Sequence, residues 1–182
     1  MAINVLIPIA QGTEEMEAII VADLLRRANI NVKIAGESNI ITCSRGVKIL
    51  PDILIDDINP EDTFHAVVLP GGNIGTQRLN DNPAIEDILK KLKRKSMKIA
   101  AICAAPTILS YHKIISDENV ITSHPSVKEQ LLSHIYVEDK VVVDGNIITS
   151  RGAGTAIDFA LKLIEVLIDS AAAKKIKDSI VY

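Results

Sequence analysis

Apolar positions recur along the chain in two alternating rhythms. Short, largely apolar runs, INVLIPIA (3–10), NVKIAG (31–36), HAVVL (65–69) and KIAAI (98–102), are rich in β-branched residues and predict buried strands. Between them the apolar spacing changes to three and four, so the stretch after QGT at 11–13 and PAIEDILKKLKRK (83–95) predict amphipathic helices. GTAIDFALKLIEVLID (154–169) reads as the last long helix, with Thr155 as its N-cap. ITCSRGVKILP (41–51) predicts a short hairpin turning near Arg45 and Gly46, and VEDKVVVDGNIITS (137–150) predicts two strands around an Asp-Gly turn. NVIT (119–122) adds a strand, and a helix should run from Cys103 to about His112. Near-continuous apolar strands separated by helices predict an α/β fold: a mostly parallel central sheet with helices on both faces. At 182 residues, with no repeat, low-complexity tract or linker, the expectation is one domain spanning 1–182.

That architecture gathers chemistry at the carboxyl ends of the strands, where three loops fall: QGTEEME, PGGN and CAAP. Cys103 stands at the third strand-to-helix junction, among small residues that permit a sharp turn. The first helical turn would lower its thiol pKa, and Pro106 fits an early helical position. A buried, inert cysteine is the alternative. Glu17 shares a helical row with Ile20, Val21 and Leu24, which turns its carboxyl inward. Desolvated there, it would gain a raised pKa and become a proton donor to a thiolate, or else serve as a structural carboxyl bonded to amides. Glu14 and Glu15 read as first-turn residues that complement the helix dipole. Gly71 and Gly72 of PGGN could aim backbone N–H groups at a ligand oxygen, or simply make a tight turn.

Composition narrows the function. A net charge of −3, three per cent aromatic residues and no Trp leave neither a basic footprint nor stacking platforms for nucleic acid. The KKLKRK cluster at 90–95 reads as a solvated helix end. The first ten residues lack a signal-peptide pattern and no apolar run reaches membrane-spanning length, so a cytoplasmic location is expected. Cys43 and Cys103 form no C-x-x-C pair and no metal-ligand spacing; both are expected as thiols, Cys43 the inert one. No residue requires a metal or organic cofactor.

Six motifs in order, GTEEMEA (12–18), TCSRGV (42–47), VVLPGGN (67–73), AAICAAPTIL (100–109), SHPS (123–126) and TSRGAGTAIDFAL (149–161), resemble the ThiJ/PfpI superfamily over nearly the whole chain. The resemblance is greatest to the subgroup of the parkinsonism-associated deglycase and the bacterial chaperone YajL. It implies a flavodoxin-like three-layer sandwich of the class I glutamine amidotransferase-like kind, assembled as a homodimer. On the matching positions it implies Cys103 as nucleophile, Glu17 as the protonated carboxyl bonded to it, and Gly72 and Ala104 as oxyanion donors. Arg45 would lie near the site at the dimer interface, and His124 matches the family's nearby histidine. His65, His112 and His134 match nothing and are expected at the surface. Ala104 stands where the protease branch has a histidine, which argues against peptide cleavage. Leu50 stands where the human member of the subgroup has a second interface cysteine.

The resemblance implies a deglycase of proteins or nucleotides, or a glyoxalase III-type enzyme, acting on methylglyoxal, glyoxal and their adducts with amines and thiols. A redox-sensing chaperone with an oxidisable Cys103 is the alternative, since it needs the same cysteine and carboxyl.

Overall fold

Successive side chains of a strand point to opposite faces, and in β1 (Asn4–Ile9) both faces are apolar. Val5, Ile7 and Ile9 enter one core and Leu6 the other. The computed structural model describes residues 2–182. After β1 come α1 (Glu15–Arg27), β2 (Asn31–Gly36), β3 (Ile41–Thr42), β4 (Lys48–Ile49), β5 (Ile53–Leu54) and β6 (Ala66–Leu69). The chain continues through α2 (Asn73–Asn80), α3 (Pro83–Arg94), β7 (Lys98–Ile102), α4 (Pro106–Tyr111), β8 (Val120–Ile121) and β9 (Ile135–Tyr136). It closes with β10 (Val141–Asp144), β11 (Ile147–Ser150), α5 (Ala156–Leu167) and α6 (Ser170–Ser179).

Seven strands form the main sheet in the order β10-β11-β7-β6-β1-β2-β5, parallel throughout except for β10 against β11. Apolar residues of α1, α5 and α6 cover one face, and those of α2, α3 and α4 cover the other. This is the three-layer α/β sandwich that the strand pattern predicts. Pro8 sits in central β1 although it has no N–H to donate. The β1–β6 ladder involves only Val5 and Leu6, so Pro8 lies beyond it, at the point where the strand order reverses.

The hairpin expected at 41–51 is present as the antiparallel pair β3–β4, apart from the main sheet. Asp144 pairs with Ile147, so the β10–β11 turn is Gly145-Asn146, with Gly145 at φ 60°. Basic residues Lys91, Lys93 and Arg94 do crowd the last turn of α3, where they meet its dipole, while Leu92 is buried. Thr155 occupies the N-cap of α5, but its hydroxyl closes back on Gly152 instead of bonding into the helix.

Two helices have no counterpart in the hydrophobic pattern. α2 buries only Gly75, Thr76 and Leu79, too few apolar positions to show a period. In α6 the carboxylate of Asp169 accepts the Ala172 N–H at 2.8 Å, a capping signal that the alanine-rich sequence otherwise hides. The three unmatched histidines are not simply surface residues. His134 is buried between the Ser110 hydroxyl and the Ser116 carbonyl, each at 2.8 Å, while His112 reaches the Asn80 carbonyl at 3.0 Å. His65 accepts the Asn4 N–H at 3.1 Å. Each satisfies backbone or hydroxyl groups that would otherwise be left unpaired.

Candidate functional site

The three loops expected to hold chemistry converge at the carboxyl edge of the sheet. Cys103 directly follows β7 and adopts φ 66°, a left-handed conformation that costs a non-glycine residue about 1–2 kcal/mol. Both of its backbone groups are held from neighbouring loops: its N–H donates to the Ser150 carbonyl at 3.0 Å, and its carbonyl accepts the His124 N–H at 2.9 Å. These bonds offset the strain and fix a partly buried thiol above the sheet edge.

Glu17 faces inward as its helical row requires, only 1% exposed, beside Val21 and Leu24. Its Oε2 accepts the Gly71 N–H at 2.7 Å, whereas Oε1 is buried with no hydrogen-bond partner. Burial raises the carboxyl to about 7, against the pull of the Gly71 amide and of the Cys103 thiol. Gly71 makes this apposition possible, because a Cβ there would lie 2.6 Å from Cys103 Cβ and 2.7 Å from Glu17 Oε2. Gly72 turns at φ 88°, and its own Cβ would run into the backbone of Gly12, Thr13 and Glu14.

The thiol does not follow the sequence expectation. Burial first, and then the charge of the adjacent Glu17 carboxylate, push Cys103 up to about 12, while the Gly72 and Ala104 amides pull the other way. The reason is local. α4 has only six residues, and the Ala105 and Thr107 N–H groups already bond Ile102 and Ala104 carbonyls. A short helix with spent amides cannot outweigh a buried carboxylate in contact. Cys103 and Glu17 therefore compete for protons as a pair.

His124 lies at the site through its backbone bond to Cys103, but its ring is exposed and engaged with Ser126. The Ser126 N–H donates to Nδ1 at 3.2 Å, which leaves Nε2 carrying the hydrogen in the neutral ring. Arg45 is exposed at the β3–β4 turn, its N–H donating to the Glu15 carboxylate at 3.0 Å. Glu15 itself departs from the expectation of a mere dipole partner. It is buried and binds the Ser44 hydroxyl and the Arg45 and Val47 amides, clamping the hairpin onto α1. Burial alone would raise this carboxyl, yet its own amide together with those donors holds it below its ordinary value. Cys43 is 5% exposed and pushed up to about 11 by burial and by Glu15 and Glu14, which suits the inert reading. Among the described residues no group of three or more His, Cys, Asp or Glu side chains could hold a metal ion.

The sequence reading missed the part of the TSRGAG loop that borders the site. Gly152 stands with its Cα toward both Glu17 Oε1 and the His124 ring: a Cβ there would lie 3.9 Å from the first and 3.4 Å from Cδ2 of the second. The position of this loop at the end of β11, next to β7, was the available signal.

Comparison with known proteins bears on the family and the fold. A model of the DJ-1/PfpI family matches residues 3–166. The crystal structure of Drosophila melanogaster DJ-1beta superposes with a TM-score of 0.95 at 44% identity, covering 100% of this chain and 98% of that one. The structure of oxidised DJ-1 from Toxoplasma gondii also gives 0.95, at 38% identity, covering 100% and 99%. The glutathione-independent glyoxalase DJR-1.2 of Caenorhabditis elegans is 37% identical over 160 residues, 86% of this chain and 84% of that protein.

Proposed function

The chain belongs to the DJ-1/PfpI family, and from that premise we propose that it is a cysteine-dependent enzyme of carbonyl-stress defence. It would act as a glutathione-independent glyoxalase or deglycase on methylglyoxal, glyoxal and their early adducts with amines and thiols. The observation that carries this reading is the buried pair itself: a strained, partly buried thiol against a carboxyl whose second oxygen has no partner in the protein. The name of the nematode glyoxalase supports the substrate class.

The raised pKa values suggest how the pair works. In the resting state the proton stays on sulfur while Glu17, near its midpoint at about 7, is available as a base. As Sγ bonds to the aldehyde carbon, the Glu17 carboxylate takes the thiol proton and the carbonyl electron pair moves onto oxygen. The Gly72 and Ala104 amides would hold that oxyanion, a contribution of about 3 kcal/mol for one such donor. Within the hemithioacetal the hydrogen of the former aldehyde carbon then moves as a proton, by way of Glu17 and an enediol, to the ketone carbon, while the hydroxyl proton passes to the ketone oxygen. Water cleaves the resulting 2-hydroxyacyl thioester to the hydroxy acid and the free Cys103 thiol. For methylglyoxal the aldehyde carbon is oxidised and the neighbouring ketone reduced within one molecule, so no outside oxidant enters. The reaction class would be hydrolase or lyase, and the lack of a histidine after Cys103 argues against a peptidase.

The test is lactate formed from methylglyoxal without glutathione, by wild type, Cys103→Ala and Glu17→Gln. Both variants should lose at least about 100-fold in kcat/KM. A reduced wild-type protein with no turnover would overturn the proposal. The structure of an oxidised relative supports the second reading, a peroxide sensor or chaperone in which Cys103 becomes a sulfinate beside Glu17.

We also propose a homodimer. Met16 and Ile19 on α1 and Val47 and Leu50 at the hairpin are 42–79% exposed, and the Glu15 clamp brings these two elements together. A partner on that surface would cover Arg45 as well. Among the described residues no helix is long and apolar enough to cross a membrane.

A further inference from the structure

Glycines at the site fall into two kinds. Gly71 and Gly72 are required by the fold, since a Cβ at either would collide with Cys103 or with backbone. Gly152 is different. Its φ of 164° is extended backbone that any residue adopts, and no part of the scaffold crowds its missing side chain. Beyond its chain neighbours, the atoms within 4 Å of a Cβ there are Glu17 Oε1 and His124 Cδ2. An added methyl group would therefore meet only the two polar side chains that border Cys103.

Three facts make this more than an accident of a small residue. Oε1 is the oxygen of Glu17 that no protein group bonds, in a side chain 1% exposed. The Cδ2 edge of His124 adjoins Nε2, the nitrogen left free when Ser126 occupies Nδ1. The loop also cannot easily move aside. The Thr155 hydroxyl accepts the Gly152 N–H at 3.1 Å and donates to the Gly152 carbonyl at 2.9 Å, while the Ser150 carbonyl two residues earlier holds the Cys103 N–H.

We infer that Gly152 is a specificity-determining residue: its bare Cα, packed between the buried Glu17 Oε1 and the exposed His124 ring, sets the room left beside that ring for the substituent next to the attacked carbonyl. The ligand class is a small 1,2-dicarbonyl. Its first carbonyl meets Cys103, and its second carbonyl, with whatever group that carbonyl carries, lies over Gly152. The neighbouring oxygen can there accept a hydrogen bond from His124 Nε2–H. This inference rests on the proposed dicarbonyl activity and adds that position 152 sets the size limit on the substrate.

The test compares Gly152→Ala with wild type on glyoxal, methylglyoxal and phenylglyoxal, with Gly154→Ala as control. A Cβ at Gly154 would have nothing within 4 Å, so that variant should behave as wild type. In Gly152→Ala the kcat/KM ratio of phenylglyoxal to glyoxal should fall by about 10-fold or more, methylglyoxal lying between, with the thermal midpoint close to wild type. An unchanged ratio overturns the inference, as does an equal fall in Gly154→Ala. A second readout needs no turnover: Cys103 alkylation by iodoacetamide and by the bulkier N-phenyl iodoacetamide. If wild type turns over no dicarbonyl, the proposed function fails and this pair decides position 152. Selective slowing of the bulkier reagent in Gly152→Ala upholds the size limit, and parallel rates remove it.

Discussion

Glu17 shows how far a single residue can be read before its surroundings are known. Its place in a row with Val21 and Leu24 gave the inward direction, and burial gave the sign of its shift. The partner that sets its geometry, the Gly71 amide, lies 54 positions away and is visible only in the fold. For the same reason the Cys103 shift reversed, because helix position alone reports neither the burial of the thiol nor the charge of a residue brought in from another element. A stability effect follows. A carboxyl raised from 4.5 to about 7 binds more protons in the folded chain than in the unfolded one between those values. Its contribution is thus fully present below pH 4.5 and is lost as pH rises through about 7. Glu17→Gln keeps an acceptor for the Gly71 N–H and has no charge to bury. It should exceed wild type in unfolding free energy at pH 8 by up to about 3 kcal/mol, with the gap closing toward pH 5. Urea titrations of both proteins across that range check the slope; a difference that does not vary with pH would mean that Glu17 titrates alike in the folded and unfolded chains.

At the scale of elements, strong periodicity was legible and weak periodicity was not. Apart from the two-residue β5 and β9, which no expectation covered, the strands, like α3, announced themselves in the sequence, whereas α2 became a helix because tertiary packing supplied what its polar sequence lacked. The β3–β4 hairpin is the instructive case. Its turn could be read from Arg45-Gly46, but two residue pairs do not make a stable ribbon in water. What holds it is the first loop, through Gly12 N–H to the Thr42 carbonyl and Ser44 N–H to the Thr13 carbonyl, together with Glu15, whose first-turn position in α1 satisfied the dipole rule so well that its long-range bonds left no trace in the sequence. Glu15→Ala should release the Arg45 and Val47 amides together, while the Ser44 hydroxyl keeps the Glu14 carboxylate at 2.6 Å. The expected result is faster hydrogen exchange at Arg45 and Val47 and a stability loss of about 1–3 kcal/mol. Exchange that stays slow at both amides would show that the hairpin is held without Glu15, by its own pairing and its bonds to the first loop.

Over the whole molecule, the doubly covered parallel sheet was legible because its strands are apolar on both faces, and the sheet order then dictated where three distant loops must meet. What one chain cannot display is the surface that a second copy would cover. Leu50 at 79% exposed, with Val47, Met16 and Ile19, forms an apolar cost that a monomer would carry without return, next to an arginine whose side chain makes no ion pair among the described residues. Wild type should therefore run as a dimer in light scattering after gel filtration, and Ile19→Glu with Leu50→Glu should shift it to monomer. The activity of that monomer separates two roles for Arg45. If Arg45 completes the partner's site, the monomer and the dimeric Arg45→Ala variant should lose methylglyoxal turnover to a similar extent. If Arg45 serves only the contact, a monomer with full turnover would place the entire site, from Glu17 to Gly152, within one chain.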